Sequence, residues 1–163
     1  MAESVHLLLK ANGMDIAGDS TQMSLGRQNT IECTYYEQGV ATAREAASGM
    51  ATGRRQYQPL VVRKNIDRAS PLLLQALTEN QVIEGTFWFF RPSPTGDGTT
   101  EQFYTVVIRQ ARIASVRQFV PDLTVPLSAN QAPQEEVSFV FQTISWTYTN
   151  GGVTHEDNWG KQR

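Results

Sequence analysis

The chain has 163 residues, of which 40% are hydrophobic and 18% charged, enough material for one domain with a proper core and the balance of an ordinary soluble globular protein. A net charge of −2 and a sequence pI near 5.7 exclude a molecule whose overall charge is built to hold polyanions. A single cysteine, Cys33, excludes an internal disulfide, reads as a small core residue in an alternating apolar segment, and suits folding in the cytoplasm.

No stretch approaches the ~20 apolar residues that a spanning helix needs. Residues 1–10 lack a cationic start and hold only the short run Leu7-Leu8-Leu9, so neither a cleaved leader nor membrane insertion is expected. Residues 5–10 read as a first strand, and Gly13, Gly18 and Gly26 break the next stretch into turns. Residues 31–39 read as one strand rich in Thr and Tyr, with Glu32, Thr34, Tyr36 and Gln38 on one face and Cys33, Tyr35 and Glu37 on the other. Residues 60–65 form another strand, started by Pro59.

Ser70-Pro71 then opens a helix of about ten residues, with Ser70 as its cap and Asn80 in the left-handed turn that ends it. A helix that short needs packing against a sheet. From residue 82 the chain is nearly all strand: 82–91, a turn cluster with Pro92, Pro94, Gly96 and Gly98, then 102–111 and 113–120. A proline-marked loop leads to 137–148, where the apolar phase shifts between Phe141 and Ile144 and predicts a bulge near Gln142 and Thr143. Asn150-Gly151 makes a hairpin turn into a short closing strand over 153–159. In Phe87-Trp88-Phe89-Phe90 both faces are aromatic; one must line the core, so the other needs cover from the helix or from a second subunit.

Three stretches resemble the Hcp family, the haemolysin-coregulated proteins. They are residues 54–73, with Pro59-Leu60, Ile66-Asp67 and Ser70-Pro71-Leu72-Leu73 as the pattern, then Phe103-Tyr104-Thr105-Val106 with Ala111-Arg112-Ile113, then Glu136-Val137-Ser138-Phe139 with Ile144-Ser145-Trp146-Thr147-Tyr148. Their order and spacing agree over residues 5–159, so the whole chain reads as a single domain of this type. The resemblance implies a mainly β fold: a small closed β-barrel of two packed sheets, one short α-helix on its side and an extended loop. It further implies the inner tube of a type VI secretion system, in which hexameric rings stack inside contractile sheath subunits beneath a spike protein. Such a tube carries effectors in its lumen and is itself secreted after assembly in the cytoplasm. Tail-tube proteins of contractile phages are the nearest alternative, followed by an effector or adaptor on the same barrel.

The resemblance assigns candidate surfaces. The extended loop spans residues 40–56; Ala43, Ala46, Ala47 and Met50 have helical spacing, which predicts a helical turn there. Ala46, Ala47, Gly49, Met50, Arg54 and Arg55 are the expected ring-to-ring contact. Phe87, Trp88, Phe89, Phe90, Arg63 and Lys64 are the expected subunit interface, and Glu37 the expected lumen charge. Arg54, Arg55, Arg63, Lys64 and Arg68 hold five of the 14 cations. They are expected to meet acidic residues of a neighbouring subunit, with Glu135 and Glu136 as partners, in preference to nucleic acid. No catalytic, metal or cofactor site is expected: His6, His155 and Cys33 share no nucleophile, base or ligand spacing, and Gly96-Asp97-Gly98 lacks the strand-to-helix setting of a phosphate loop.

Overall fold

A computed structural model describes residues 3–159. The elements run β1 (Ser4–Ala11), β2 (Met14–Ile16), β3 (Ile31–Cys33), β4 (Tyr35–Glu37), β5 (Val40–Arg44), β6 (Ala51–Tyr57), β7 (Leu60–Asn65), α1 (Ser70–Thr78), β8 (Ile83–Pro92), β9 (Thr100–Phe119), β10 (Gln134–Val140), β11 (Thr143–Tyr148) and β12 (Val153–Asn158). The fold is mainly β with one helix, as the sequence predicts. Of the expected closed barrel of two packed sheets, two sheets are present, one large and one small. Ten strands form one sheet in the order β2-β1-β8-β9-β10-β7-β4, with β3 on β1, β11 on β9 and β12 on β11, while β5 and β6 form a separate hairpin.

Two irregularities wrap this sheet around a single core. The first lies in β9, where the sequence suggests two strands and the structure has one of 20 residues. Its pairing with β8 slips between Ile83 and Gly85, and Gln110 sits at φ 49°. The extra residue bends the strand, as bulges do. Residues before the bend pair with β8 and β11, Ala111 just past it still pairs with Ile83 of β8, and those from Arg112 onward pair with β10. The second is the predicted phase shift near Gln142. It is a break between two strands: β10 lies on β7 and the far half of β9, whereas β11 joins its near half. The apolar set therefore changes phase because the chain changes neighbours.

The expected strand over 31–39 also divides. β3 pairs with β1 and β4 pairs with β7, so the two ends of the sheet are consecutive in the chain and are joined through Thr34, whose N–H donates to Arg63 O at 2.8 Å. The alternation resets at this crossing. Cys33 is buried, Tyr36 packs edge-on against Phe87 and Phe89, and Tyr35 and Glu37 face solvent.

Helix α1 buries Leu73 and Ala76 and packs against β9. It ends, as predicted, at Asn80 with φ 51°. Its start differs from the prediction: Ser70 is inside the helix and makes no cap bond, and Asp67 instead accepts the Ala69 N–H at 2.9 Å. Residues 40–56 differ more. The alanine spacing suggests a helical turn, but β5 and β6 pair from Val40↔Tyr57 to Arg44↔Ala51. Only the tip keeps a helical bond, Gly49 N–H to Glu45 O at 2.8 Å, closed by Gly49 at φ 72°. A helix of one or two turns is marginal in water, while the β-branched Val40, Thr42 and Thr52 favour the pleat.

Candidate functional site

The cations singled out by sequence are mostly paired, but within the chain. Lys64 lies directly opposite Glu135 and Arg63 opposite Glu136 across β7 and β10. Lys64 and Glu135 are both 0% exposed and form a buried ion pair. The Lys64 ammonium also meets Asp67 at 2.8 Å and donates to Asn65 O at 3.0 Å. The Ser70 hydroxyl donates to Glu135 at 2.6 Å, and Gln118 Nε2 adds a bond at 3.2 Å. Ser70 is thus drawn into this network instead of capping the helix. Lys64 has no surface to offer a second subunit, which corrects its placement at the interface. Arg68 is spent on Gly18 O, Asn29 Oδ1 and Asp19. Arg54 is exposed.

The aromatic run is covered by its own chain. Phe87 (0% exposed) lies in the main core. Phe90 (1%) lies on the opposite face, as alternation along β8 dictates for residues three apart. Residues 18–30 form a strap over that second face. The Arg27 guanidinium sits 4.6 Å above the Phe90 ring, His6 packs edge-on against it at 5.5 Å, and Gly26 lies beneath Trp88. His6 Nδ1 is 2.9 Å from Thr30 Oγ1, and burial holds its pKa below 6.5, with Glu32 opposing and Arg27 adding to the shift. Phe87 and Phe90 therefore cannot present the predicted interface surface; Trp88 and Phe89 are half-buried. The sequence reasoning missed the strap, although a cation among turn-forming glycines, facing an aromatic run, was its one visible signal.

Glu37 lies on a solvent-facing polar surface shared by β4, β7, β10 and β9. Tyr35, Arg63, Glu136 and Arg117 form one row across the four strands, and Glu37, Val61, Ser138 and Ser115 form the next. The Arg63 guanidinium covers Tyr35 at 4.8 Å and bonds Glu136 at 2.9 Å; Arg117 reaches the same carboxylate at 3.6 Å. The Tyr35 hydroxyl donates to Glu37.

The hairpin of β5 and β6 buries none of its residues. Ala46, Ala47, Gly49 and Met50 stand at its exposed tip, Met50 at 67%. Arg55 is bound within the chain. It grips Asp157 of β12 with Nε at 2.7 Å and Nη2 at 2.9 Å, and Tyr57 Oη donates to the same carboxylate at 2.6 Å. Asp157 carried no recognisable sequence signal.

His6, Cys33 and His155 do not converge. His6 faces the strap. The Cys33 thiol is buried, contacts Ile31 O and is pushed by burial up to about 12, while the His155 ring stacks on Trp146. Among the described residues no cluster of His, Cys, Asp or Glu has the arrangement to hold a metal.

Residues 8–148 match the family described as "Type VI secretion system effector, Hcp". The chain is 30% identical over 154 residues to the "Major exported protein" of Pseudomonas aeruginosa, covering 90% of this chain and 88% of that one. Among solved structures, Hcp1 of E. coli EAEC 042 superposes with a TM-score of 0.82 at 26% identity, over 97% of this chain and 99% of that one. Hcp3 of Pseudomonas aeruginosa gives 0.76 at 22% identity over 97% and 99%, a likeness of fold.

Proposed function

The chain belongs to the Hcp family of the type VI secretion system, and from that premise we propose that it is a structural subunit of the secretion tube, with no chemistry of its own. Six copies form a ring, rings stack into a tube within the sheath and under the spike, and the tube carries effectors in its lumen and leaves the cell with them. The observation that carries this reading is the family match across residues 8–148.

The geometry offers each surface a task. Along β7 the hairpin lies at the Leu60 end; the loop between β9 and β10 lies at the Asn65 end, where Ile66 N–H bonds Pro133 O. The hairpin tip thus stands at one end of the strands and an apolar loop with Leu123, Val125 and Leu127 exposed stands at the other. Copies stacked along the strand direction bring one against the other, a head-to-tail contact that propagates. The polar face bearing Glu37 suits a channel wall, since its charges are largely neutralised in pairs and it holds clients by weak contacts.

Electron microscopy of the purified protein, with mass measured in solution, tests the reading. Six-fold rings are expected; a strict monomer at micromolar concentration overturns it. Replacing residues 46–51 with a Gly/Ser linker is expected to leave rings intact and stop tube growth, and Glu37→Lys to change which effectors are retained in an unchanged ring.

A further inference from the structure

The hairpin has no buried side chain, and a lone two-stranded hairpin is at best marginal in water. Something outside it must hold its direction. β12 has the converse property: it pairs only with β11 among the described residues, and none of its six residues is buried. The two meet at Asp157. Its two carboxylate oxygens receive three donors from the base of the hairpin, two from the Arg55 fork and one from Tyr57. A bidentate guanidinium on a carboxylate fixes an angle as well as a distance. The Arg55 hydrogen bonds, and next to them the Tyr57 bond, hold the Asp157 carboxyl below the usual carboxylate range against the opposing effect of burial.

Aromatic packing completes the joint. The Tyr57 ring stacks on Trp146 with a 20° interplanar angle and packs against Phe141 at 5.3 Å and Trp159 at 5.4 Å. The other leg of the hairpin is tied as well, through Gln38 Oε1, which accepts from Trp146 Nε1 at 3.1 Å. Both legs are therefore fastened to the C-terminal pair β11–β12. Between them the neck is closed by the Gln58 N–H to Gly39 O bond at 2.9 Å.

We propose that Asp157 is the positioning residue of the hairpin: the C-terminal strand aims residues 40–57, and thereby sets how one copy stacks on the next. The second half of this statement rests on the reading that the hairpin makes the ring-to-ring contact; the first half does not.

Hydrogen exchange of Asp157→Ala and Asp157→Asn tests both halves, alongside tube length by electron microscopy and a melting curve for each variant. In Asp157→Ala the hairpin amides are expected to exchange roughly tenfold faster while those of β1, β8 and β9 keep their protection, as local opening requires. Asp157→Asn retains an acceptor for Tyr57 but loses the charge, and should fall between wild type and Asp157→Ala in both hairpin exchange and tube length. A merely structural role would lower the melting temperature and loosen core and hairpin together, without that graded, local response. Unchanged hairpin exchange in Asp157→Ala overturns the proposal. Faster hairpin exchange with tubes of normal length leaves the joint standing and overturns the stacking role of the hairpin.

Discussion

Replacing Lys64 with methionine removes a cation from a site closed to bulk solvent and leaves Glu135, also 0% exposed, without its counter-charge. Losing one partner of a buried pair costs about 3–5 kcal/mol. The structure argues for the lower end of that range. Glu135 keeps the Ser70 hydroxyl at 2.6 Å and the Gln118 amide at 3.2 Å, and each retained bond contributes about 1 kcal/mol. Asp67, only partly buried, loses its 2.8 Å contact but retains the Ala69 N–H. The expected loss is therefore ~3 kcal/mol. The double variant Lys64→Met with Glu135→Leu removes both charges and should recover to within ~2 kcal/mol of the parent: an apolar pair of similar volume needs no counter-charge, and the remaining cost is the Ser70 hydroxyl left without its acceptor. Urea unfolding followed by tryptophan fluorescence measures both, at one fixed protein concentration, since assembly adds a concentration-dependent term. A single variant that loses less than ~1 kcal/mol, or a double variant as unstable as the single, refutes the assignment of a tightly coupled pair.

His6 makes stability depend on pH in a known direction. Its folded pKa is depressed, so the unfolded chain takes up the proton first; the contribution is complete above about pH 6.5 and is lost as pH falls below it. The urea midpoint should be flat above neutrality and decline below that value, and His6→Gln should flatten the decline; a slope that persists in the variant counts against a buried neutral imidazole under the strap. Gly18→Ala should unfold at lower temperature than wild type, by the equivalent of about 2 kcal/mol, because a Cβ there would lie 2.6 Å from Thr30 O and 2.8 Å from Ile31 Cα. Gly85→Ala should cost less, since its nearest neighbour is the Ile108 side chain at 3.2 Å; equal melting temperatures for the two variants would dismiss the seated strap.

Local chemistry was readable where the deciding groups are close in sequence. Asn80 reaches φ 51° because the helix end requires it, and the shift from Phe139 to Ile144 marks a true change of neighbours. The pairing of Arg63 and Lys64 with Glu136 and Glu135 was readable as chemistry, but sequence does not say whether opposite charges meet within one chain or across two. Ser70 looked like a cap because caps are local; a buried carboxylate 65 positions away claims its hydroxyl. The alanines of residues 43–50 gave a helical period, yet the backbone bonds available along the hairpin outweigh it. The strap escaped notice because turn residues show where a chain bends and not what it lies upon.

The bent strand β9 has a consequence for the order of events in folding. It is the shared neighbour of β8, β10 and β11, and β8 in turn must find β1, with Phe87 set against Leu7. The β1–β8, β7–β10 and β9–β11 ladders join segments far apart in the chain, and each such closure gives up chain entropy before any burial rewards it. Folding is therefore expected on the millisecond-to-second scale, slower than a helical bundle of equal length. Until β11 reaches the near half of β9, the core lacks Ile144, and until residues 18–30 fold across β8 a nascent copy leaves Phe90 uncovered.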